Sequence, residues 1–149
     1  MLTFLNYQEE IIGRGLQVPN SFDDTTGRTL SNSGVERINQ SIHHILSTRI
    51  GTRFFIPEFG SNLYKLVFEP NDYILKDLLI RYIAEALGRW EPRINNLTIA
   101  PDLERHDNIV PVYLTYTLIN TNVKGNYVYP FNREVYDPQS IDVSHSTLT

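Results

Sequence analysis

The sequence predicts an α+β fold, with two main helices packed on a small, mostly antiparallel sheet that ends in a C-terminal β-hairpin. Two segments before Trp90 carry apolar residues at helical spacing, whereas the segments after it alternate with a period of two. The chain of 149 residues is long enough to bury about 68–70% of its unfolded surface, which supports one hydrophobic core. Helical segments followed by strands indicate the α+β class.

Composition excludes several classes of function. The hydrophobic fraction of 41% and the charged fraction of 20% are typical of a globular domain. The net charge is -4 and the basic residues are scattered, which argues against a nucleic-acid partner. The chain has no cysteine, so it has no disulfide framework and no thiolate metal site. We expect no signal peptide and no membrane partner, because no apolar run approaches the ~20 residues of a membrane span.

The first helix is predicted from Gly34 to the segment Ser47–Ile50. Ser31 or Ser33 is its candidate N-cap, and Gly51 is its stop. Helical spacing places one apolar stripe on it, made of Val35, Ile38, Ile42, Ile45 and Leu46.

Between the helices, Pro57, Gly60 and Pro70 exclude a long regular element. The same stretch is rich in large apolar side chains, so we expect it to pack across the core or against a neighbouring protein. Asp72, with Asn71 before it, is predicted to cap a second and longer helix that runs to about Gly88.

Three strands are predicted after the second helix. Residues Ile94–Ala100 form a short strand that Pro101 ends, and Val110–Asn120 form a longer alternating strand. Asn122–Asn126 is predicted to be a turn, and Tyr127–Phe131 the returning strand of a hairpin. The predicted organisation is therefore an extended N-terminal lead (1–33), the α+β domain (34–131) and a C-terminal tail (132–149) that partners order.

Carboxylates beside prolines are the candidates for catalysis. Glu58 and Glu69 are the candidate pair for a glycosidase, and Glu91 is a third. Each stands at an element boundary, where a capping or backbone-fixing hydrogen bond is the commoner role. His43 and His44 are adjacent on a helix and project about 100° apart, so they cannot share a metal as an i, i+4 pair can. We therefore predict no catalytic residue, metal or cofactor, and keep a peptidoglycan-cleaving glycosidase as the alternative.

Glu91, Pro92 and Arg93 form a corner between the second helix and the strand that follows. Because proline fixes the backbone, the flanking side chains project in defined directions. Two interpretations stay open: Arg93 offers its guanidinium to a partner while Glu91 orients it, or the two side chains pair internally and hold the corner.

The final hairpin carries several tyrosines and a threonine-rich second face, which are typical of a solvated sheet or of an edge that accepts a strand from another chain. Taken together, these segments resemble the baseplate-wedge, sheath-initiator family of contractile phage tails, with relatives in type VI secretion and other contractile injection systems. The resemblance covers about residues 34–131. It rests on Pro57–Gly60 (PEFG), Phe68–Pro70 (FEP) and above all Glu91–Arg93 (EPR). Ile56 departs from the family, whose members often place Arg before this proline.

The resemblance implies a non-enzymatic virion protein of the tail baseplate, assembled in the host bacterial cytoplasm, although members carry an old lysozyme-like label. Glu91, Pro92 and Arg93 are expected to hold the subunit to the wedge core. The terminal hairpin is expected to accept strands from the first sheath ring, through Tyr113, Thr115, Thr117, Ile119, Tyr127 and Tyr129. Expected partners are the tail sheath protein and other baseplate wedge proteins, with several copies around a six-fold tail. The equivalent subunit of a type VI secretion or tailocin machine is a further alternative.

Overall fold

Two helices lie against a three-stranded antiparallel sheet. The computed structural model describes residues 15–16, 31–32, 34–104, 108–119 and 123–133. In chain order the elements are β1 (Gly15–Leu16), β2 (Ser31–Asn32), α1 (Gly34–Ser47), a 3-10 helix (Leu63–Leu66), α2 (Tyr73–Trp90), β3 (Ile94–Pro101), β4 (Ile109–Leu118) and β5 (Lys124–Asn132). β1 pairs with β2 separately, and β4 lies between β3 and β5. The predicted α+β class and its terminal hairpin are confirmed.

Local capping fixes the helix ends. The carboxylate of Asp72 accepts a hydrogen bond of 3.0 Å from the Leu75 N–H, as predicted for the start of α2. Gly51 has a φ of 91°, a conformation that suits a stop shortly after α1. Ser31 belongs to β2, and Ser33 lies outside the described residues. α2 continues two residues past the predicted end, because its last turn still pairs the Glu91 N–H with the Leu87 carbonyl.

The core lies between the helices and one face of the sheet. Val112, Leu114, Tyr116 and Leu118 alternate along β4 and are all buried, as the alternating pattern predicts. They pack in one core cluster with the apolar side chains of both helices. The fully buried side chains of α1, α2 and β4 include Ile38, Ile42, Leu75, Leu79, Ile83, Leu87, Val110, Val112, Leu114 and Tyr116.

The returning strand begins earlier than predicted. β5 starts at Lys124, so the predicted turn is wrong for its last three residues, Lys124–Asn126. Gly125 pairs with Tyr116 and lies under its ring, where a Cβ would come 2.6 Å from the tyrosine oxygen. The glycine that indicates a turn in the sequence is required here for close packing within the sheet.

The stretch between the helices is divided between core and surface. Leu63 and Leu66 are buried, whereas Phe54 and Phe55 are 93% and 92% exposed. Gly60 has a φ of 115°, and a Cβ there would lie 2.9 Å from the Thr48 carbonyl carbon, so only glycine fits.

The N-terminal lead and the C-terminal tail lie mostly outside the described residues. Within the part of the chain that the structure describes, no helix is both long enough and apolar enough to cross a membrane.

Candidate functional site

Glu91 and Arg93 form a buried ion pair at the end of α2. The Arg93 Nε donates to Glu91 Oε1 at 2.6 Å, and its Nη2 donates to Oε2 at 2.7 Å, so the contact is bidentate. The Glu91 side chain is 1% exposed and the Arg93 side chain 30% exposed. The hydrogen bond to Glu91 raises the pKa of Arg93, against the opposing effect of burial.

The ion pair belongs to a larger polar cluster that joins both helices to the sheet. Tyr116 on β4 donates a hydrogen bond of 2.6 Å to Asn39 Oδ1 on α1. Burial, with a smaller contribution from the charge of Glu91, raises the pKa of Tyr116 to about 12. The Arg93 carbonyl accepts a hydrogen bond from the Ile119 N–H. The corner is therefore rigid, and Glu91 reaches a partner only through the guanidinium that it orients.

The structure is compatible with both interpretations of the corner, an internal ion pair and a docking site for a partner. The internal Glu91–Arg93 pair exists, while Pro92 is exposed and part of the Arg93 side chain reaches the surface. A partner of this corner would contact Pro92 and Arg93.

Within the residues that the structure describes, β5 forms an edge of the sheet with regularly spaced outward donors. Two hydrogen bonds define the direction of the backbone groups: the Leu118 N–H donates to Val123 O, and the Asp102 N–H donates to Pro111 O. The backbone N–H and C=O groups of even-numbered β4 residues therefore point towards β5, and those of odd-numbered residues point towards β3. Because Val112 pairs with Tyr129, the backbone groups of odd-numbered β5 residues point towards β4, and those of even-numbered residues point away from the sheet. Before Pro130, the outward N–H groups thus belong to Lys124, Asn126 and Val128, and Pro130 itself supplies only a carbonyl.

The opposite edge, on β3, is interrupted. The register with β4 shifts between Asn95 and Thr98, where Asn96 has a φ of 50°. Pro101 lies at the other end of β3 and supplies no N–H. A bulge and a proline both discourage pairing with another chain. Within the described residues, β5 is therefore the better edge for strand addition.

The six hairpin residues predicted for strand addition lie in three different places. Tyr113, Thr115 and Thr117 are on β4, whose backbone is paired on both sides, so no strand adds to it directly. Ile119 follows β4, and its N–H donates a hydrogen bond to the backbone carbonyl of Arg93.

Tyr127 and Tyr129 are on β5, with their side chains towards α1. Tyr127 forms a hydrogen bond of 2.9 Å with His43 Nδ1, and Tyr129 is only 9% exposed. Burial raises the pKa of Tyr129 to about 12. The sequence pattern predicted the hairpin as the site of strand addition, but it could not tell which of its strands is at the edge of the sheet.

Two hollows lie along β5, on the side of the sheet that packs against the helices. One, of about 230 Å³, lies between Tyr127 and the polar residues Glu36, Asn39 and Gln40 of α1. The other, of about 220 Å³, is lined by Leu63, Val67 and Phe131, among others. Tyr127 and Phe131 are four residues apart on β5, a separation of about 13 Å at about 3.3 Å per residue.

The carboxylates considered for a glycosidase do not share a sugar-sized cleft. Glu58 forms an ion pair with Arg89 and lines a cavity of about 30 Å³, of which Glu69 is not a lining residue. Such a cavity holds about one water molecule. Glu91 is enclosed by its contact with Arg93.

Comparison with known proteins gives consistent matches. The family model for baseplate wedge protein gp25 matches residues 32–123. The baseplate wedge protein gp25 of Enterobacteria phage T4 is 38% identical over 86 residues, which are 58% of this chain and 59% of the T4 protein. The chain thus spans about three fifths of the length of this curated relative.

Solved structures share the fold. A protein of Geobacter sulfurreducens, crystallised under the name of a tail lysozyme, has a TM-score of 0.63 and 31% identity over 68% of this chain and 93% of its own. A chain of the post-contraction pyocin R2 baseplate has a TM-score of 0.53 and 33% identity, covering 66% of this chain and 97% of its own. A chain of the anti-feeding prophage baseplate, 21% identical, has a TM-score of 0.57 and covers 89% of this chain and 95% of its own.

Proposed function

This chain belongs to the baseplate wedge protein gp25 family, and from that premise we propose that it is a structural subunit of a contractile tail baseplate that starts sheath assembly. The baseplate belongs to a phage or to a related machine such as a tailocin. Arg93 and Pro92 anchor the subunit to other wedge proteins, and β5 accepts a strand of the tail sheath protein.

The open edge of β5 carries this proposal. Its outward donors at Lys124, Asn126 and Val128 alternate with side chains that face the helices, which is the arrangement that strand addition requires. Main-chain hydrogen bonds supply affinity, and the two hollows beside Tyr127 and Phe131 supply register. Because Pro130 interrupts the donors, the ladder extends from Lys124 to the carbonyl of Pro130.

Val128→Pro tests the sheath role. It removes one outward N–H that has no ladder partner in the sheet, so the subunit should fold and enter baseplates, but tails should lack sheath in electron micrographs. Val128→Thr is the matched control, because it keeps the N–H and the β-branched shape. Sheathed tails of normal length from a folded Val128→Pro subunit would refute strand addition at β5.

The enzyme alternative has less support. Glu58 and Glu91 are paired with arginines, and Glu69 does not line the cavity of about 30 Å³ beside Glu58. The T4 and pyocin R2 relatives are baseplate proteins. Clearing of cell-wall suspensions by the purified protein, lost in Glu58→Gln and Glu69→Gln, would reverse this preference.

A further inference from the structure

A second surface, separate from the corner and the sheet edge, combines exposed aromatic rings with concentrated positive charge. The loop of residues 52–59 projects between the C-terminal ends of α1 and α2. At its tip Phe54 and Phe55 are almost fully exposed, and their rings meet edge to face with centroids 5.5 Å apart. Adjacent exposed aromatic rings of this size are typical of the centre of a protein interface.

The loop is held in place although its tip is exposed. The Gly51 N–H donates to Pro57 O at 2.7 Å and closes the loop at its base. Glu58 forms an ion pair with Arg89, and the Phe59 ring packs against Trp90 with centroids 5.2 Å apart. The rings are therefore displayed by an ordered framework, which lowers the entropy lost on binding.

A cleft of about 440 Å³ lies between this loop and α1. Its charged or titratable lining residues are Arg37, His44 and Arg53, and no carboxylate lines it. The guanidinium of Arg53 stacks on the Phe59 ring at 4.4 Å, which leaves its N–H edge available for a planar acceptor. The Thr48 hydroxyl donates to the His44 carbonyl, so the guanidiniums are the strong donors of the cleft.

We propose that this cleft, together with Phe54 and Phe55, which directly follow its lining residue Arg53, docks an acidic and partly apolar segment of a different baseplate protein. Charge complementarity identifies the occupant. Within the described residues neither Arg37 nor Arg53 forms an ion pair with a carboxylate, although the chain carries a net charge of -4. Carboxylates match the guanidinium fork, and an apolar side chain of the same segment covers the two rings.

The charge distribution favours a protein segment over nucleic acid. Nucleic-acid binding depends on many phosphate contacts, and the cleft has only two guanidiniums on an acidic chain. The proposal concerns a different surface from β5, so it does not depend on sheath addition.

Photocrosslinking in assembled particles tests it. Phe54 is replaced by p-benzoylphenylalanine in the full chain, tails are purified and irradiated, and the crosslinked peptides are identified by mass spectrometry. We expect a crosslink to a segment of another baseplate protein that contains Asp or Glu. The charge reversal Arg37→Glu/Arg53→Glu should lower the crosslink yield about tenfold or more, because it places like charges in contact.

Lys76→Glu/Arg81→Glu is the matched control, since it changes the net charge equally on the exposed face of α2. Arg37→Gln/Arg53→Gln replaces the reversal if that variant melts at a lower temperature than the control. A crosslink to residues 134–149 of the chain itself, to a second copy, to nucleic acid or to a segment without carboxylates overturns the proposal. Absence of a crosslink, or a yield equal to that of the control, overturns it as well. Val128→Pro, which tests sheath addition, should leave this crosslink unchanged.

Discussion

Replacing Arg93 with alanine should destabilise the fold as well as remove a docking group. The two hydrogen bonds to Glu91 measure 2.6 and 2.7 Å, and the carboxylate is 1% exposed. Breaking a buried pair by removing one partner costs about 3–5 kcal/mol, because the remaining charge is left uncompensated. The Arg93 side chain is 30% exposed, so water reaches part of the gap and the lower end, about 3 kcal/mol, is expected. At about 2–4 °C per kcal/mol, the melting temperature should fall by roughly 6–12 °C.

Urea denaturation followed by circular dichroism measures this free energy of unfolding. The paired replacement Glu91→Met/Arg93→Met should lie within about 1 kcal/mol of the unsubstituted protein, because it removes both charges and keeps the volume apolar. This double variant also separates stability from docking: it should fold but be absent from purified baseplates. A loss below about 1 kcal/mol in Arg93→Ala, or equal losses in both variants, would refute the electrostatic reasoning. Normal incorporation of the double variant would contradict the anchoring role.

Two further predictions concern close packing and the buried tyrosines. Gly125→Ala should lower the free energy of unfolding by about 1–3 kcal/mol in urea titrations, because its Cβ meets the Tyr116 ring. Gly88→Ala should raise this free energy by about 0.5–1 kcal/mol, because the space beside Gly88 on α2 is open. Equal effects of the two substitutions would contradict the close packing at Gly125. Burial raises the pKa values of Tyr116 and Tyr129 from 10.0 to about 12. As the pH rises, these tyrosines therefore ionise first in the unfolded chain, and the stability present below pH 10 should be lost between pH 10 and 12. Urea titrations across this range should show a shallower loss for Tyr129→Phe, and an identical slope would count against the burial effect.

The elements that local physics determines were predictable from the sequence. The cap at Asp72, the stripe of α1 and the alternation of β4 each depend on residues close together in the chain, and the structure confirms them. The segment Lys124–Asn126 was not predictable in this way. Its polar and glycine residues favour a turn, and only the tertiary contact between Gly125 and Tyr116 explains why they form a strand.

The candidate site depends on burial and strand order, which a single sequence does not give. The EPR tripeptide marked the corner, but the depth of Glu91 follows from its packing beside Tyr116. The tyrosines marked the hairpin, but the edge position of β5 follows from the order of the strands. The apolar character of Phe54 and Phe55 indicated contact with either the core or a neighbour, and their exposure decides in favour of the surface.

The brevity of the open β5 edge has a consequence for free subunits. Only three N–H groups precede Pro130, so a stray encounter with one unattached strand forms few bonds and dissociates quickly. A ring that holds several such edges in fixed positions raises the effective concentration of each for a multivalent partner. Under the proposed role, this short edge would disfavour sheath polymerisation on free subunits and favour it on an assembled baseplate.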